Sequence, residues 1–398
     1  MTAHEQTTEP LRPENFDLYH PELIDDPWAG YSRLREQCPV FHSERVGWVL
    51  TGYDDVSTAS RDYEGFRSDW GPKSPTPRNL PRTREEEGGE AVFSYAAYPV
   101  LPIETDPPVH GGYRRLLQPL FTAPSIERNW GDDIRSIAHD LVTAYVRDGG
   151  GDFVESVALP MSGLAVAAVL GIPREQRDEF QQRALLLARE TGPALEFLEG
   201  AIESAQSGAF HVLATAEIDG RELTREEKLG YGLILVHAGW ETTAGTLTSM
   251  VHRLATQPEL RAALTAQPEL LATAPDEFIR IDAAAPGLWR TAGEDREVGG
   301  CPIKRGDKVL LMWGAANRDP AAFEGPDEVR LDRKPNRHMS FGEGVHRCLG
   351  SALARAEITA VLAELMAAPA LVRDESVPVE RIAGAVPVIT KLVLRPGR

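Results

Sequence analysis

The sequence predicts a mainly helical protein with a small β region, and three observations support this fold class. Residues 224–256 begin at a capping box, Thr224-Arg225-Glu226-Glu227, and continue with few polar interruptions to a stop before Pro258. Apolar residues repeat at helical spacing from Ala354 to Leu365. The chain has 42% hydrophobic but only 7% aromatic residues, which predicts a mostly aliphatic core. Residues 46–50, in contrast, have the pattern of a strand in a small sheet.

Composition and charge restrict the partners and the compartment. The 398 residues carry a formal net charge of −18, which argues against nucleic acid and anionic membrane as partners. No linker divides the chain, so we expect a surface arm over residues 1–20 and one domain over residues 21–398. Three cysteines form no disulfide framework, and neither a signal-peptide pattern nor a membrane-spanning apolar run occurs, which predicts a cytoplasmic protein.

The loop before the last long helix contains a lone cysteine that needs an explanation. Residues 341–350 have the sequence FGEGVHRCLG, so Cys348 lies where the helix begins. A helix N-terminus favours a thiolate, which can bind a metal, and the glycines indicate positive φ or a close approach of the backbone to a bulky group. The alternative is a buried cysteine beside a glycine-rich turn. Zinc is disfavoured because the chain contains no CxxC pair.

The same ten residues resemble the haem-binding loop of the cytochrome P-450 family, FGxGxHxCxG, at every fixed position. The resemblance implies haem b (iron protoporphyrin IX) as cofactor, with Cys348 as the axial thiolate ligand of its iron. It also implies the cytochrome P-450 fold, mainly α with a small β region, in which haem lies between the long distal helix and the helix after Cys348. Without a membrane anchor, the chain is most similar to the soluble bacterial members.

Four basic residues are expected to bind the haem propionates. His110 and Arg114, in the segment DPPVHGGYRR, share one helix face and could bind an anion together or form a solvated basic face. The segment resembles the family's propionate-binding helix, which implies that role for His110 and Arg114. Arg290 and His346 match the family's other propionate ligands. Asp106 is expected to cap the helix of His110.

The middle of the long predicted helix has the sequence AGWETT, residues 238–243. A threonine that bonds to the i−4 carbonyl can bend or open a helix, and an acid beside it could relay protons, whereas the alternative is an ordinary helix with a surface glutamate. AGxETT resembles the family's oxygen-binding motif. The resemblance implies that Thr242 and Glu241 are catalytic and deliver protons.

Glu277 and Arg280 form an i, i+3 pair that is weak evidence on its own, since any surface helix can offer one. In this order before the cysteine loop, the pair resembles the family's ExxR clamp, which is structural. The third member of that clamp is usually an arginine, and the sequence leaves Arg330 and Arg333 open.

The resemblance implies a monooxygenase that inserts one atom of dioxygen into a C–H bond, by hydroxylation or oxidative demethylation. The thiolate opposite dioxygen favours O–O cleavage. No flavin or nicotinamide motif occurs, so we expect electrons from a ferredoxin and its NAD(P)H-dependent reductase, docked at a basic patch that includes Arg347, Arg114 or Arg115. The alternatives are a hydrogen-peroxide-driven peroxygenase and a non-catalytic haem-thiolate sensor, and the Glu241–Thr242 pair disfavours both.

The substrate pocket is expected by analogy with the family, and five residues are assigned to it: Tyr98, His237, Ala238, Ala284 and Leu288. Two polar groups, Tyr98 and His237, in an apolar wall indicate a small, mainly hydrophobic molecule such as a terpenoid or an oxygenated aromatic. A larger polyketide or steroid is an alternative, and both polar side chains could equally serve packing alone. The loop over residues 71–90 is expected to help cover this pocket.

Overall fold

The structure is a computed structural model that describes residues 9–68, 98–184 and 192–397. The expected covering loop at residues 71–90 and the first eight residues of the expected arm lie outside this described part. With 53% of the residues helical and the sheets small, the predicted fold class is confirmed.

The α-helices within the described residues are α1 Glu22–Asp25, α2 Pro27–Gln37, α3 Tyr53–Arg61, α4 Val109–Leu117, α5 Ala123–Arg147, α6 Leu159–Leu170, α7 Arg177–Ala184, α8 Gly192–Ser204, α9 Gly208–Thr215, α10 Arg225–Thr256, α11 Pro258–Ala266, α12 Ala274–Ile281, α13 Trp313–Ala316 and α14 Ser351–Ala367. The strands are β1 Val40–Ser43, β2 Gly47–Leu50, β3 Phe66–Arg67, β4 Gly151–Asp152, β5 Glu217–Ile218, β6 Arg221–Glu222, β7 Leu288–Ala292, β8 Arg296–Val298, β9 Cys301–Ile303, β10 Lys308–Leu311, β11 Leu371–Arg373, β12 Glu380–Ile382, β13 Val388–Lys391 and β14 Val393–Pro396.

The central helix α10 is the long helix that the sequence predicts, and its capping box is present. The Thr224 hydroxyl accepts from the Glu227 main-chain N–H at 3.2 Å, and the Glu227 carboxylate accepts from the Thr224 N–H at 2.7 Å. With 32 residues the helix is about 48 Å long. Gly230 is required where a neighbour approaches closely, since a Cβ there would lie 2.0 Å from the Pro99 carbonyl oxygen. None of the helices in the described part of the chain is long and apolar enough to cross a membrane.

The largest sheet brings distant segments together beside the helices. Its strand order is β1-β2-β10-β7-β3, with β2 and β10 parallel and the other neighbours antiparallel. Smaller sheets are formed by β11-β14-β4, β12-β13, β5-β6 and β8-β9. Strand β7 pairs Arg290 with Val309 of β10, and this pairing fixes the direction in which Arg290 leaves the sheet.

The structure corrects the expected surface arm. Leu11, Phe16 and Leu18 are each exposed by 2% or less, and they pack in one cluster with Tyr31 and Phe41. The ring of Phe16 meets the Phe41 ring edge to face at a centroid distance of 5.7 Å. Residues 11–18 therefore form part of the core, because three apolar side chains in this polar segment anchor it to α2 and β1.

Candidate active site

The cysteine loop is a short, fixed segment between the clamp and α14. Gly342 and Gly344 have φ of 64° and 68°, which confirms the predicted positive φ. At Gly344 a Cβ would also lie 2.8 Å from the Ser60 carbonyl oxygen, so the backbone passes close to α3. The Cys348 main-chain N–H donates to the Phe341 carbonyl oxygen at 2.7 Å. These contacts hold the cysteine three residues before the start of α14.

Cys348 is accessible to solvent and has the side chains of several arginines nearby. Burial raises the pKa of the thiol, whereas a hydrogen bond from the Gly350 main-chain N–H and the charges of Arg114, Arg347 and Arg355 lower it. The opposing effects leave a raised pKa. A bound metal ion would remove the proton, since a coordinated thiol ionises.

Three segments that are distant in the sequence bring basic side chains together next to this cysteine. The rings of His110 and His346 lie 4.5 Å apart, and His346 Nε2 lies 2.9 Å from Asp106 Oδ1. Asp106 Oδ2 accepts from the Ser68 main-chain N–H at 2.8 Å. The predicted cap is therefore wrong: α4 starts at Val109 with no side-chain cap, and the Asp106 carboxylate binds His346 instead.

Among the described residues, Asp106 is the carboxylate beside this cluster, which contains two arginines. Arg290 is 5% exposed and donates to the Trp289 carbonyl oxygen at 2.8 Å, and burial lowers its pKa to about 10. Arg114 is partly buried, and burial lowers its pKa too, but both guanidinium groups stay charged at neutral pH. Burial also lowers the pKa of His110 to about 4, and within the described residues its Nε2 has no hydrogen-bond partner. A ring nitrogen without a partner among the described residues, a buried guanidinium group and a partly buried one fit the two propionates of haem.

The middle of α10 contains the AGWETT motif, residues 238–243. The Thr242 hydroxyl donates to the Ala238 carbonyl oxygen at 2.8 Å, as predicted, although α10 remains continuous there. Ala238 and Glu241 are exposed in mid-helix, while Trp240 between them is buried and donates to the Leu159 carbonyl oxygen at 2.9 Å. The surrounding protein partly desolvates the carboxyl group of Glu241 and raises its pKa above that of a free glutamate, although the residue is accessible to solvent.

Tyr98 and His237, the two polar residues assigned to the substrate pocket, lie at different turns of α10. His237 is one turn before Glu241 on the same helix face, and burial lowers its pKa to about 4, so the ring is neutral at neutral pH. Tyr98 is hydrogen-bonded to Arg225, the first residue of α10. Thr242 is about 25 Å further along the helix axis, at roughly 1.5 Å per residue. The structure thus does not bring Tyr98 to Thr242, because Pro99 packs against Gly230 at the beginning of the helix.

Two further apolar residues assigned to the substrate pocket, Ala284 and Leu288, lie on the segment that follows α12. Ala284 packs one turn beyond Thr242, with its Cβ 3.9 Å from the position that a Cβ on Gly245 would take. Ala284 lines a pocket of about 240 Å³ that also includes His252 and Arg381, and Leu288 does not line it. Leu288 is the first residue of β7, two positions before Arg290, so both side chains are on one face of the strand.

The clamp is complete, and the structure identifies its third member as Arg333. Glu277 and Arg280 are fully buried and joined by two bonds of 2.8 Å. Arg333 Nε donates to both carboxylate oxygens of Glu277, at 3.0 and 3.2 Å. Arg330 contributes only its main-chain N–H, at 2.8 Å, while its side chain pairs with Glu328.

An asparagine that the sequence analysis missed connects the clamp to the cysteine loop. Arg280 donates to the Asn317 carbonyl oxygen at 2.8 Å, and the Asn317 side chain donates to the Ser340 hydroxyl at 2.7 Å. Asn317 Oδ1 accepts from the Met339 main-chain N–H. No local pattern marks Asn317, because its partners are separated from it by more than twenty residues. The clamp therefore holds the segment that leads into Cys348.

Comparison with known proteins shows the family of the chain. Residues 265–368 match the family model for cytochrome P450. The chain is 31% identical to the beta-dihydromenaquinone-9 omega-hydroxylase of Mycobacterium tuberculosis (89% of this chain, 72% of the relative) and 32% identical to the mycinamicin IV hydroxylase/epoxidase of Micromonospora griseorubida (84% and 86%). The substrate-free structure of CYP109E1 from Bacillus megaterium superimposes with a TM-score of 0.80 at 28% identity, covering 94% of this chain and 99% of that one.

The chain therefore belongs to the cytochrome P450 family. It is an oxidoreductase of the monooxygenase type, and the cofactor of this family is haem b with a cysteine thiolate as axial ligand.

Proposed function

We propose that this protein oxidises a C–H bond of a small, mainly hydrophobic substrate, with Cys348 as the axial haem ligand and electrons from a ferredoxin. One observation carries the proposal. His110, Arg114, Arg290 and His346 come from three distant segments and form one buried basic cluster, whose member Arg114 interacts with Cys348. The charged groups of this cluster, Arg114 and Arg290, are partly or fully buried and would be balanced by an anionic partner.

In this proposal the basic cluster binds and orients the cofactor. Arg114 and Arg290 neutralise the propionates, and His110 Nε2 donates the hydrogen bond for which it has no partner within the described residues. Asp106 fixes the ring of His346 through the 2.9 Å contact, so that its other nitrogen can face a propionate. When bound, haem supplies the iron that activates dioxygen. The Gly350 N–H and the nearby arginines stabilise the negative charge of the Cys348 sulfur.

In this proposal Glu241 and Thr242, in the middle of α10, serve proton delivery together with water. Burial raises the pKa of Glu241, so this carboxyl group can hold a proton at a pH where an exposed glutamate would not. Thr242 Oγ1 has its own proton engaged with the Ala238 carbonyl, so its oxygen can accept a hydrogen bond from a water and would hold that water in place. The pair thus supports a dioxygen-dependent monooxygenase over a peroxygenase or a sensor.

Electrons come from a separate protein in this proposal, because the sequence contains no flavin or nicotinamide motif. Arg347 is exposed directly beside Cys348, and Arg115 is exposed on α4 next to Arg114. These arginines, with Arg114, are the candidates for a local basic patch on a chain whose net charge is −18. An acidic ferredoxin, reduced by its NAD(P)H-dependent reductase in the cytoplasm, is the partner that this surface favours.

The wall residues support an apolar substrate with a single polar contact. Ala238, Ala284 and Leu288 offer methyl and methylene groups, and neutral His237 can bond to one substrate oxygen. We propose a terpenoid or an oxygenated aromatic. Larger molecules are represented among the relatives, since one hydroxylates a dihydromenaquinone, one acts on mycinamicin IV, and CYP109E1 has been crystallised with testosterone.

The proposal is tested in two stages on the haem-loaded protein. First, terpenoids, aromatics, steroids and macrolides are screened for the low-spin to high-spin shift of the Soret band. His237→Phe should weaken binding of an oxygenated ligand by about 1–3 kcal/mol and spare its deoxygenated analogue. Second, the best ligand is turned over with a ferredoxin, its reductase and isotopically labelled dioxygen. Label in the product supports the monooxygenase, whereas product formed only with added hydrogen peroxide, or no product at all, would contradict it.

A further inference from the structure

Two of the three cysteines are outside the haem site and lie next to each other. Cys38 Sγ is 2.9 Å from the Val40 carbonyl oxygen, and Cys301 Sγ is 3.5 Å from the same atom. The sulfur atoms can therefore be no farther apart than the sum of these two distances. Burial raises the pKa of the Cys301 thiol, and the nearby Cys38 raises it further. The thiols of Cys38 and Cys301, which are far apart in the sequence, thus both contact the Val40 carbonyl oxygen.

Both cysteines are held in these positions by their local structure. Cys38 ends α2, and its main-chain N–H donates to the Leu34 carbonyl oxygen at 3.0 Å. Cys301 follows the two-residue turn Gly299-Gly300, whose φ angles of 55° and 78° give a tight hairpin between β8 and β9. A Cβ on Gly299 would lie 2.8 Å from the Val40 side chain, so the hairpin packs firmly against β1. The pairing of the thiols is therefore a fixed feature of the fold.

Both thiols are also partly exposed, so a small oxidant or reductant can reach them. Within the described residues, no group of three or more His, Cys, Asp or Glu side chains could hold a metal ion, which argues against a metal site at this pair. A fixed, accessible pair of thiols without a metal is suited to reversible oxidation, which is the usual role of a disulfide inside cells.

We propose that Cys38 and Cys301 form a reversible intramolecular disulfide when the protein meets hydrogen peroxide. One thiolate attacks the peroxide and becomes a sulfenic acid, and hydroxide leaves and is protonated to water. The second thiol displaces a second water from the sulfenic sulfur and forms the S–S bond. In sum, two thiols are oxidised by two electrons, and one peroxide is reduced to two waters. The bond would tie the end of α2 to the β8–β9 hairpin.

The test uses the full-length, haem-loaded protein and a few equivalents of hydrogen peroxide. After quenching with an alkylating reagent and denaturation, the number of alkylated cysteines should fall from three to one. A non-reducing digest should contain the peptides of Cys38 and Cys301 joined, with a mass two hydrogens lower than their sum. A dithiol reductant should restore all three alkylation sites.

Two single variants make the assignment specific. Cys38→Ser and Cys301→Ser should each abolish the joined peptide, while both keep the thiolate-type Soret band that depends on Cys348. Three alkylated cysteines after peroxide would overturn the proposal. Sulfinic or sulfonic acid at either position without the joined peptide, or cross-links between two chains, would also overturn it. None of these outcomes depends on the haem-based function proposed above.

Discussion

Replacing Arg333 by alanine should destabilise the protein strongly, whereas the same change at Arg330 should not. The Arg333 side chain is 8% exposed and donates twice to the fully buried Glu277. It also donates to the Glu324 and Gly325 carbonyl oxygens, at 2.9 and 3.2 Å. Breaking a buried ion pair costs about 3–5 kcal/mol. Since Arg280 still neutralises Glu277, we expect about 3 kcal/mol, a change of roughly a hundredfold in the folding equilibrium.

Arg330→Ala is the matched control. Its side chain is 35% exposed and pairs only with exposed carboxylates, so its loss should cost about 0–1 kcal/mol. The alanine keeps the main-chain N–H that donates to Glu277. The free energy of unfolding is measured for both variants by urea titration of the haem-loaded protein, followed by circular dichroism and by the Soret band. Equal costs for the two variants, or a loss below about 1 kcal/mol for Arg333→Ala, would refute this account of the clamp.

Three further predictions concern the two faces of the candidate site. Thr242→Ala should bind substrate normally but divert reducing equivalents to hydrogen peroxide; wild-type product yield per NADH would remove Thr242 from proton delivery. Because burial raises the pKa of Glu241 and only the protonated carboxyl group donates, turnover should fall as the pH rises through that pKa. The Glu241→Gln variant should turn over slowly, and its kcat should not decline at alkaline pH. Superimposable profiles of kcat against pH for the variant and the wild type would count against the assignment. Arg114→Leu should speed haem transfer to apomyoglobin about 10–100-fold, since a charge-assisted hydrogen bond contributes about 1.5–3 kcal/mol. The control Arg115→Leu, with its side chain exposed on the same helix, should release haem at the wild-type rate, and equal rates for both variants would contradict the basic cluster.

Local signals in the sequence predicted the features that depend on nearby residues. The capping box at Thr224 and the bond from Thr242 to the Ala238 carbonyl each join residues three or four positions apart. The positive φ of Gly342 and Gly344 follows from glycine's freedom in a tight loop. These interactions require no knowledge of the rest of the fold, so sequence alone was sufficient for them.

The remaining features depend on contacts between distant segments. Arg333 and Arg330 are equivalent in the sequence, and only the path of the chain after α13 brings Arg333 to Glu277. Asp106 has the position of a helix cap, but a partner 240 residues away takes its carboxylate. Tyr98 was assigned by its position before α4, yet the approach of Pro99 to Gly230 takes it to the beginning of α10. When a distant partner binds a polar side chain in place of a local one, the spacing of nearby residues cannot predict the outcome.

The central claim is that Cys348 provides the thiolate ligand of the haem iron, and one spectrum tests it. The haem-loaded protein is reduced, treated with carbon monoxide and compared with Cys348→Ser and, as a control for cysteine loss elsewhere, Cys38→Ser. We predict the strongly red-shifted Soret band of a thiolate-ligated carbonyl complex in the wild type and in Cys38→Ser, and its loss in Cys348→Ser. Retention of that band in Cys348→Ser, or its loss in Cys38→Ser, would contradict the assignment on which the proposed function rests.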